Sequence, residues 1–249
     1  MGFYPVPMAG PQEGAVVCMR LTRVPTRHIA SAVARMVRDR RHLSATPGLR
    51  FWKLLGTGDG RTFTARDADV RSWAMFTVWD DIDALDTFER DSPVVRAWGR
   101  ISEAQLSVHL RPLRWRGHWS GRDPLDNCVP DFPGVVVGGR VAALTRARIR
   151  VRQLRDFRSS VAPVADALTR TAGLLYRVGI GEAPIGLQGT FSVWDSASSL
   201  DAFSYASAAH RTVIRRTAET GWYAEEFFAR FAVLETRGDL AAFDRGGLT

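Results

Sequence analysis

The sequence predicts an α+β protein made of two ferredoxin-like β-α-β-β-α-β repeats whose sheets pack against each other as a barrel. Three observations lead there. The chain repeats itself, each copy alternates strand-like and helix-like apolar periods in the same order, and a sheet with helices on one face needs a partner for the other. Pro47-Gly48-Leu49-Arg50-Phe51-Trp52-Lys53-Leu54-Leu55-Gly56 matches Ala172-Gly173-Leu174-Leu175-Tyr176-Arg177-Val178-Gly179-Ile180-Gly181. Phe76-Thr77-Val78-Trp79-Asp80 matches Phe191-Ser192-Val193-Trp194-Asp195, and Leu85 and Phe88 return as Leu200 and Phe203. The offset is 125 residues from Gly48 to Gly173 but 115 from Trp79 to Trp194, so the first copy carries ten extra residues, within 57–70.

In the first copy, residues 15–23 read as a strand. Pro25 suits a helix start, because its fixed φ and missing N–H cost nothing in a first turn. Ile29, Val33, Met36 and Val37 fall at helical spacing and carry a helix, buried on that side, to about residue 43. A second strand follows at 49–55. The glycine-rich Gly56–Gly60 then opens a long hairpin loop, expected to lie over a pocket or a subunit contact. The third strand is 72–79. Residues 81–90 and 92–103 are two short helices, the latter with Ser92 as N-cap and Pro93 at its first position. A strand at 106–113 closes the copy. The second copy places strands at 140–148, 174–178, 187–194 and 227–234, with helices at 157–170 and 200–217. The repeats therefore occupy 1–118 and 140–249. A joint at 119–139 holds Pro124, Pro130 and Pro133 with few periodic apolar residues.

With 45% hydrophobic and 24% charged residues in 249, the chain has the composition of a folded protein rather than a disordered one. No run approaches the roughly 18 apolar residues of a membrane span, and the N-terminus lacks a basic stretch followed by an apolar one. A cytoplasmic location is the expectation. Cys18 and Cys128 are too few for a disulfide framework or a cysteine-only metal site. The net charge of +8 comes almost wholly from scattered arginines, Lys53 being the sole lysine. Arg146, Arg148, Arg150 and Arg152 alternate with Ala147, Ile149 and Val151, which predicts a strand with one solvated face rather than a nucleic-acid-binding helix.

Five runs carry more than fold: Phe51-Trp52-Lys53-Leu54-Leu55-Gly56-Thr57-Gly58, Arg116-Gly117-His118-Trp119-Ser120-Gly121, the stretch from Gly181-Glu182 to Trp194-Asp195, Ala209-His210-Arg211, and Gly221-Trp222-Tyr223-Ala224-Glu225-Glu226. In them the chain resembles the spheroidene monooxygenase family, over about residues 15–238. The resemblance implies the dimeric α/β barrel superfamily and a haem-dependent monooxygenase that oxygenates the end of an acyclic carotenoid, an apolar substrate. Heme b, with its iron, is the implied cofactor, bound in the second half. An external donor such as ferredoxin would supply electrons, since the glycine loops lack the strand-GxGxxG-helix context of a dinucleotide site. Relatives of this fold also use haem on small nitrogen compounds and chlorite, so the fold does not fix the reaction. The rival readings are a haem-dependent lyase or dehydratase acting on N–O or N–N compounds, and a non-enzymatic haem-binding barrel. No nucleic acid and no membrane span are expected; a membrane-surface association and a homo-oligomer are compatible with the same reading.

Haem iron takes His, Cys, Met or Tyr as its axial ligand. Among His28, His42, His109, His118 and His210, the last has the strongest context. It follows Ser207, a candidate N-cap, and stands opposite Val95 of the first copy. A first-turn histidine feels the positive helix end, which favours the neutral ring that a metal needs. The resemblance adds Arg211, Lys53 and Trp222 to the cofactor-binding set. His118 and Cys128 follow as alternatives. His109 on a strand reads as an ordinary satisfied or solvated residue, and His28 and His42 as surface. Trp73, Trp79, Trp194 and Trp222 suit a core or an apolar pocket equally.

Overall fold

The computed structural model describes residues 14–59, 67–128, 139–153, 171–182, 189–206, 222–238 and 241–243. In chain order these form β1 (Val16–Arg23), α1 (Ile29–Ser44), β2 (Leu49–Gly58), β3 (Ala68–Trp79), α2 (Ile82–Asp91), α3 (Pro93–Ile101), β4 (Ala104–Gly117), β5 (Val141–Ile149), β6 (Leu174–Gly181), β7 (Gly189–Trp194), α4 (Ala197–Ala206) and β8 (Tyr223–Gly238). The strands close into one antiparallel barrel, ordered β1-β3-β2-β6-β7-β5-β8-β4. Read by halves, β4-β1-β3-β2 and β8-β5-β7-β6 have the same internal order.

Period-two alternation sorts the strand residues onto two faces. Inward-facing Val17, Met19, Leu21, Phe76, Val108, Leu144, Phe191 and Phe231 belong to one core that fills the barrel. Outward-facing Val16, Cys18, Leu54, Trp73, Met75 and Trp79 meet the helices of the first half, including Phe88 and Trp98, in a second cluster. With both faces buried, β1 has seven buried residues in a row, which explains why its sequence runs apolar rather than alternating. Val141, Leu174, Trp194 and Leu200 form a smaller outer cluster on the second half.

The motif pairs mark matching points of the two halves. Gly48 and Gly173 both adopt positive φ, +74° and +85°, ahead of β2 and β6. Their carbonyls accept from the amides of Asp80 and Asp195, each at 2.9 Å. The indole of Trp79 donates to Thr77 Oγ1 at 2.9 Å, and that of Trp194 to Ser192 Oγ at 3.0 Å. Trp79 packs on Phe88 with ring centres 4.8 Å apart, and Trp194 on Phe203 at 5.5 Å.

The two seams between the halves differ. β4 and β8 pair from Leu106–Gly238 to Gly117–Phe227, whereas β2 and β6 pair only at Gly56–Gly181, Thr57–Ile180 and Gly58–Gly179. A left-handed Gly117, φ +91°, allows the close passage at the end of the long seam, where a Cβ would collide with the Glu226 carbonyl.

Several expectations change. Helix α1 buries Ala32, Asp39 and Leu43, while Val33 and Val37 point to solvent. Asp39 sets this rotation, for its carboxylate accepts from the Trp98 indole of α3 at 2.9 Å and from Arg35 at 3.1 Å. Ser92 caps α3 as expected, accepting from Val94 N at 3.1 Å. The strands outrun their apolar cores, most of all β8, because Glu225, Glu226, Thr236 and Arg237 pair with the neighbouring β5 and β4 although they are polar. Of the insertion within 57–70, residues 60–66 lie outside the described residues; its base is closed by Asp59 N bonding Asp67 O at 3.1 Å. The expected helix at 157–170, and the part of 200–217 beyond α4, also lie outside them.

Candidate functional site

Residues from four of the five runs meet at one end of the barrel, around Trp119. This side chain is fully buried and stacks on Phe76 at 5.3 Å between ring centres, with Phe51 at 5.8 Å and Phe227 at 6.0 Å. Its indole N–H donates to Glu182 Oε1 at 2.8 Å. The same oxygen accepts from Arg146 Nη2 at 2.5 Å, and Arg146 Nη1 donates to Glu225 Oε2. Glu225 Oε1 accepts from the Gly121 amide at 2.7 Å. Lys53 Nζ donates to Ser120 Oγ at 2.5 Å and lies 3.3 Å from Glu182 Oε2. The guanidinium of Arg146 also stands over the Trp119 ring at 5.5 Å.

Arg146 corrects the sequence reading. It is 2% exposed, not on a solvated face, while Arg148 and Arg150 are exposed as expected. A guanidinium can be buried only where carboxylates compensate it, and Glu182, just past β6, and Glu225 of β8 do so. Burial alone would raise both carboxyls. Arg146 and Lys53 hold Glu182 below the usual range, and the Gly121 amide with Arg146 does so for Glu225. Both carboxyls are therefore ionised at neutral pH. Beside it a cavity of about 320 Å³ is lined by Arg40, Lys53, Arg122 and Glu182 together with Phe51 and Trp52. So charged a lining suits a small polar molecule and not a hydrocarbon chain.

On the outer faces of the sheets the halves diverge. The first half presents the cross-strand pair Leu54–Met75, and the second has Gly179–Thr190 at the same register. Where β1 carries Cys18 and Arg20 opposite Thr77 and Met75, β5 carries Ala143 and Thr145 opposite Ser192 and Thr190. Thr145 and Thr190 share a hydroxyl hydrogen bond at 2.7 Å. The second half thus has a floor of short side chains where the first has long ones. The segments 154–170 and 207–221, which follow β5 and α4, lie outside the described residues.

A second polar cluster sits under α2 in the first half. Cys18 Sγ, a Glu89 carboxylate oxygen and a His109 ring nitrogen lie within 4.8 Å of one another. His109 is fully buried, with Nε2 3.2 Å from Glu89 Oε2, which the sequence did not foretell. Arg20 and Arg237 also hold Glu89, at 2.5 and 2.7 Å. Burial opposes ionisation of Glu89, yet His109 and Arg20 beside it bring its carboxyl to about 2. Burial pushes the Cys18 thiol up to about 12. Two guanidiniums on the only carboxylate of the trio, and a thiol that keeps its proton, oppose a cation here.

His210 and Arg211 lie outside the described residues. Trp222 is buried at the start of β8, its carbonyl accepting from Arg150 N at 2.9 Å. Lys53 shares the inward face of β2 with Phe51 and Leu55, on the opposite side of the barrel wall from the small-residue floor. His118 is exposed, with its amide bonded to Glu226 O at 2.6 Å. Cys128 is buried in the barrel core, where burial raises its thiol against the pull of Arg50. Trp73, Trp79 and Trp194 are all core residues. The network residue that sequence reasoning missed is Arg146; the small residues of β5, β6 and β7 carry no motif and become visible only through register.

The chain is 34% identical over 212 residues to a spheroidene monooxygenase of Rhodobacter capsulatus, covering 83% of this chain and 84% of that protein. A spheroidene monooxygenase of Rubrivivax gelatinosus is 37% identical over 193 residues, covering 77% and 72%. No protein-family model matches. Among solved structures, an aldoxime dehydratase in complex with butyraldoxime has a TM-score of 0.57 at 12% identity, covering 91% of this chain and 82% of that one. At that identity the likeness extends to the fold alone.

Proposed function

The chain belongs to the spheroidene monooxygenase family and is a monooxygenase, and from that premise we propose that it uses haem in its second half to oxygenate an acyclic, carotenoid-like hydrocarbon. The observation that carries the reading is the 34% identity spread over more than four-fifths of both chains. The equal strand order of the halves supports reading 1–118 and 140–249 as two ferredoxin-like repeats joined through 119–139.

The residues of the second half fit the cofactor in size: Gly179, Thr190, Ala143 and Thr145 are smaller than Leu54, Met75, Cys18 and Arg20 at the same register of the first half. His210 would ligate the iron, Arg211 would meet a propionate, and the buried Trp222 would add apolar lining. Lys53 would have to leave Glu182 to take part. When bound, haem supplies the site at which O2 is activated. The chain's own task is to hold the cofactor flat, exclude water from it and keep the barrel rigid beneath it. The packed interior around Trp119 and the ion pairs of Arg146 meet the last requirement. Electrons would come from a separate donor such as a ferredoxin.

The test is spectroscopic. Protein produced with ample haem should show a Soret band that His210→Ala abolishes or shifts, while His28→Ala and His42→Ala leave it unchanged. Turnover of an acyclic carotenoid should need both O2 and a reductase system. A chain without a Soret band, or conversion of an aldoxime without reductant in place of carotenoid oxygenation, overturns the proposal.

A further inference from the structure

We propose that α1 docks the protein on an anionic membrane surface. Among the described residues the exposed large apolar side chains are Val33, Val37 and Val70, at 48%, 72% and 51%. Two of the three lie one helical turn apart on α1. Ala30, Val33, Val37, Arg41 and Ser44 are all exposed and step along the helix by three, four, four and three residues, so they share one outward stripe. Arg38 and Arg40, both exposed, flank it, and exposed Arg27 stands in the turn before the helix. The only carboxylate on α1 is Asp39, buried and bonded to Trp98 and Arg35. The face therefore shows arginine and aliphatic carbon without an acid of its own, the combination that seats a helix at a lipid headgroup layer.

Charge complementarity selects the occupant. Each arginine brought to an anionic leaflet strengthens partition about fivefold, and the valines add shallow apolar insertion. An acidic protein would satisfy the arginines but would leave two valines against a polar partner. Arg40 also lines the 320 Å³ cavity, so docking would bring that cavity's mouth to the headgroups. The proposal deepens the carotenoid reading, since such a substrate is dissolved in the bilayer, but its test does not depend on it.

The full-length chain is sedimented with carotenoid-free vesicles of phosphatidylcholine alone or with added phosphatidylglycerol. Binding should appear with phosphatidylglycerol, weaken with salt, and fall at least tenfold in both Arg38→Glu/Arg41→Glu and Val33→Asp/Val37→Asp. All four positions are exposed, and the circular dichroism of the variants should match the parent. Equal binding to both vesicle types, unchanged binding by either double variant, or a Val33→Asp/Val37→Asp change that only turns an oligomer into a smaller species overturns it. Turnover on detergent-dispersed carotenoid reports on the substrate reading separately: it should survive the α1 variants.

Discussion

The two halves of the barrel share a frame and differ in what they put on it. Gly48 and Gly173, Trp79 and Trp194, and Phe88 and Phe203 make equivalent turns, hydrogen bonds and ring contacts. The outward faces are not equivalent. Leu54 and Met75 fill the first half with long side chains, whereas the second half has the short Gly179 and Thr190 at the same register. Positions that shape the backbone admit few residue types, while a sheet face can be filled from the chain or left for something else. One half is filled by the chain's own long side chains, and the other is where we place the cofactor.

The comparison is broken most directly at Leu54, which is 5% exposed. Leu54→Ala should cost about 2–5 kcal/mol in chemical denaturation. Thr190→Leu, the reverse change at the half-buried place matching Met75, should lower haem content while costing the apoprotein less stability. Loss of stability of equal size from both changes would mean that the two faces are equally packed.

Arg146→Met comes next, at about 3 kcal/mol, because it strands Glu182 and Glu225 beside a buried tryptophan. Glu182→Gln/Glu225→Gln added to Arg146→Met should recover part of that loss in the same measurement.

Acid should discriminate between the polar clusters. Glu89 has its carboxyl depressed to about 2 from 4.5, so its contribution is full above about pH 4.5 and disappears as the pH falls toward 2. Glu89→Gln should be less stable than the parent at pH 7 yet show a flatter loss between pH 4.5 and 2, followed by circular dichroism. The smallest effects belong to the shared frame. Gly48→Ala and Gly173→Ala each force a left-handed alanine against Ala84 or Ser199, and each should cost about 1–2 kcal/mol.

Much of the frame was legible in the sequence because glycine and tryptophan at fixed spacing mark turns and anchors. The site was less so. Arg146 alternates with alanines and looks solvated until Glu182 and Glu225 arrive from other strands. Val33 and Val37 look buried until Asp39 finds Trp98 and turns the helix. His109 acquires its partner Glu89 only when α2 folds over β4. Each misreading turned on a polar residue, Arg146, Asp39 or His109, whose partner is distant in sequence, information that periodicity does not hold. The resemblance named Lys53, but the side chain's ties to Ser120 and Glu182 had no local signature.

The short glycine-rich seam between β2 and β6 has a consequence for assembly. A closed barrel presents no strand edge, which protects it from pairing with other chains. The seam at Gly56–Gly181, Thr57–Ile180 and Gly58–Gly179 is the shorter of the two joining the halves, and local opening favours places with few interactions to break. A chain parted there exposes two edges whose natural complements sit on every other copy. Pairing of β2 of one molecule with β6 of another, with the long β4–β8 seam of each intact, would join two opened chains into one larger closed sheet.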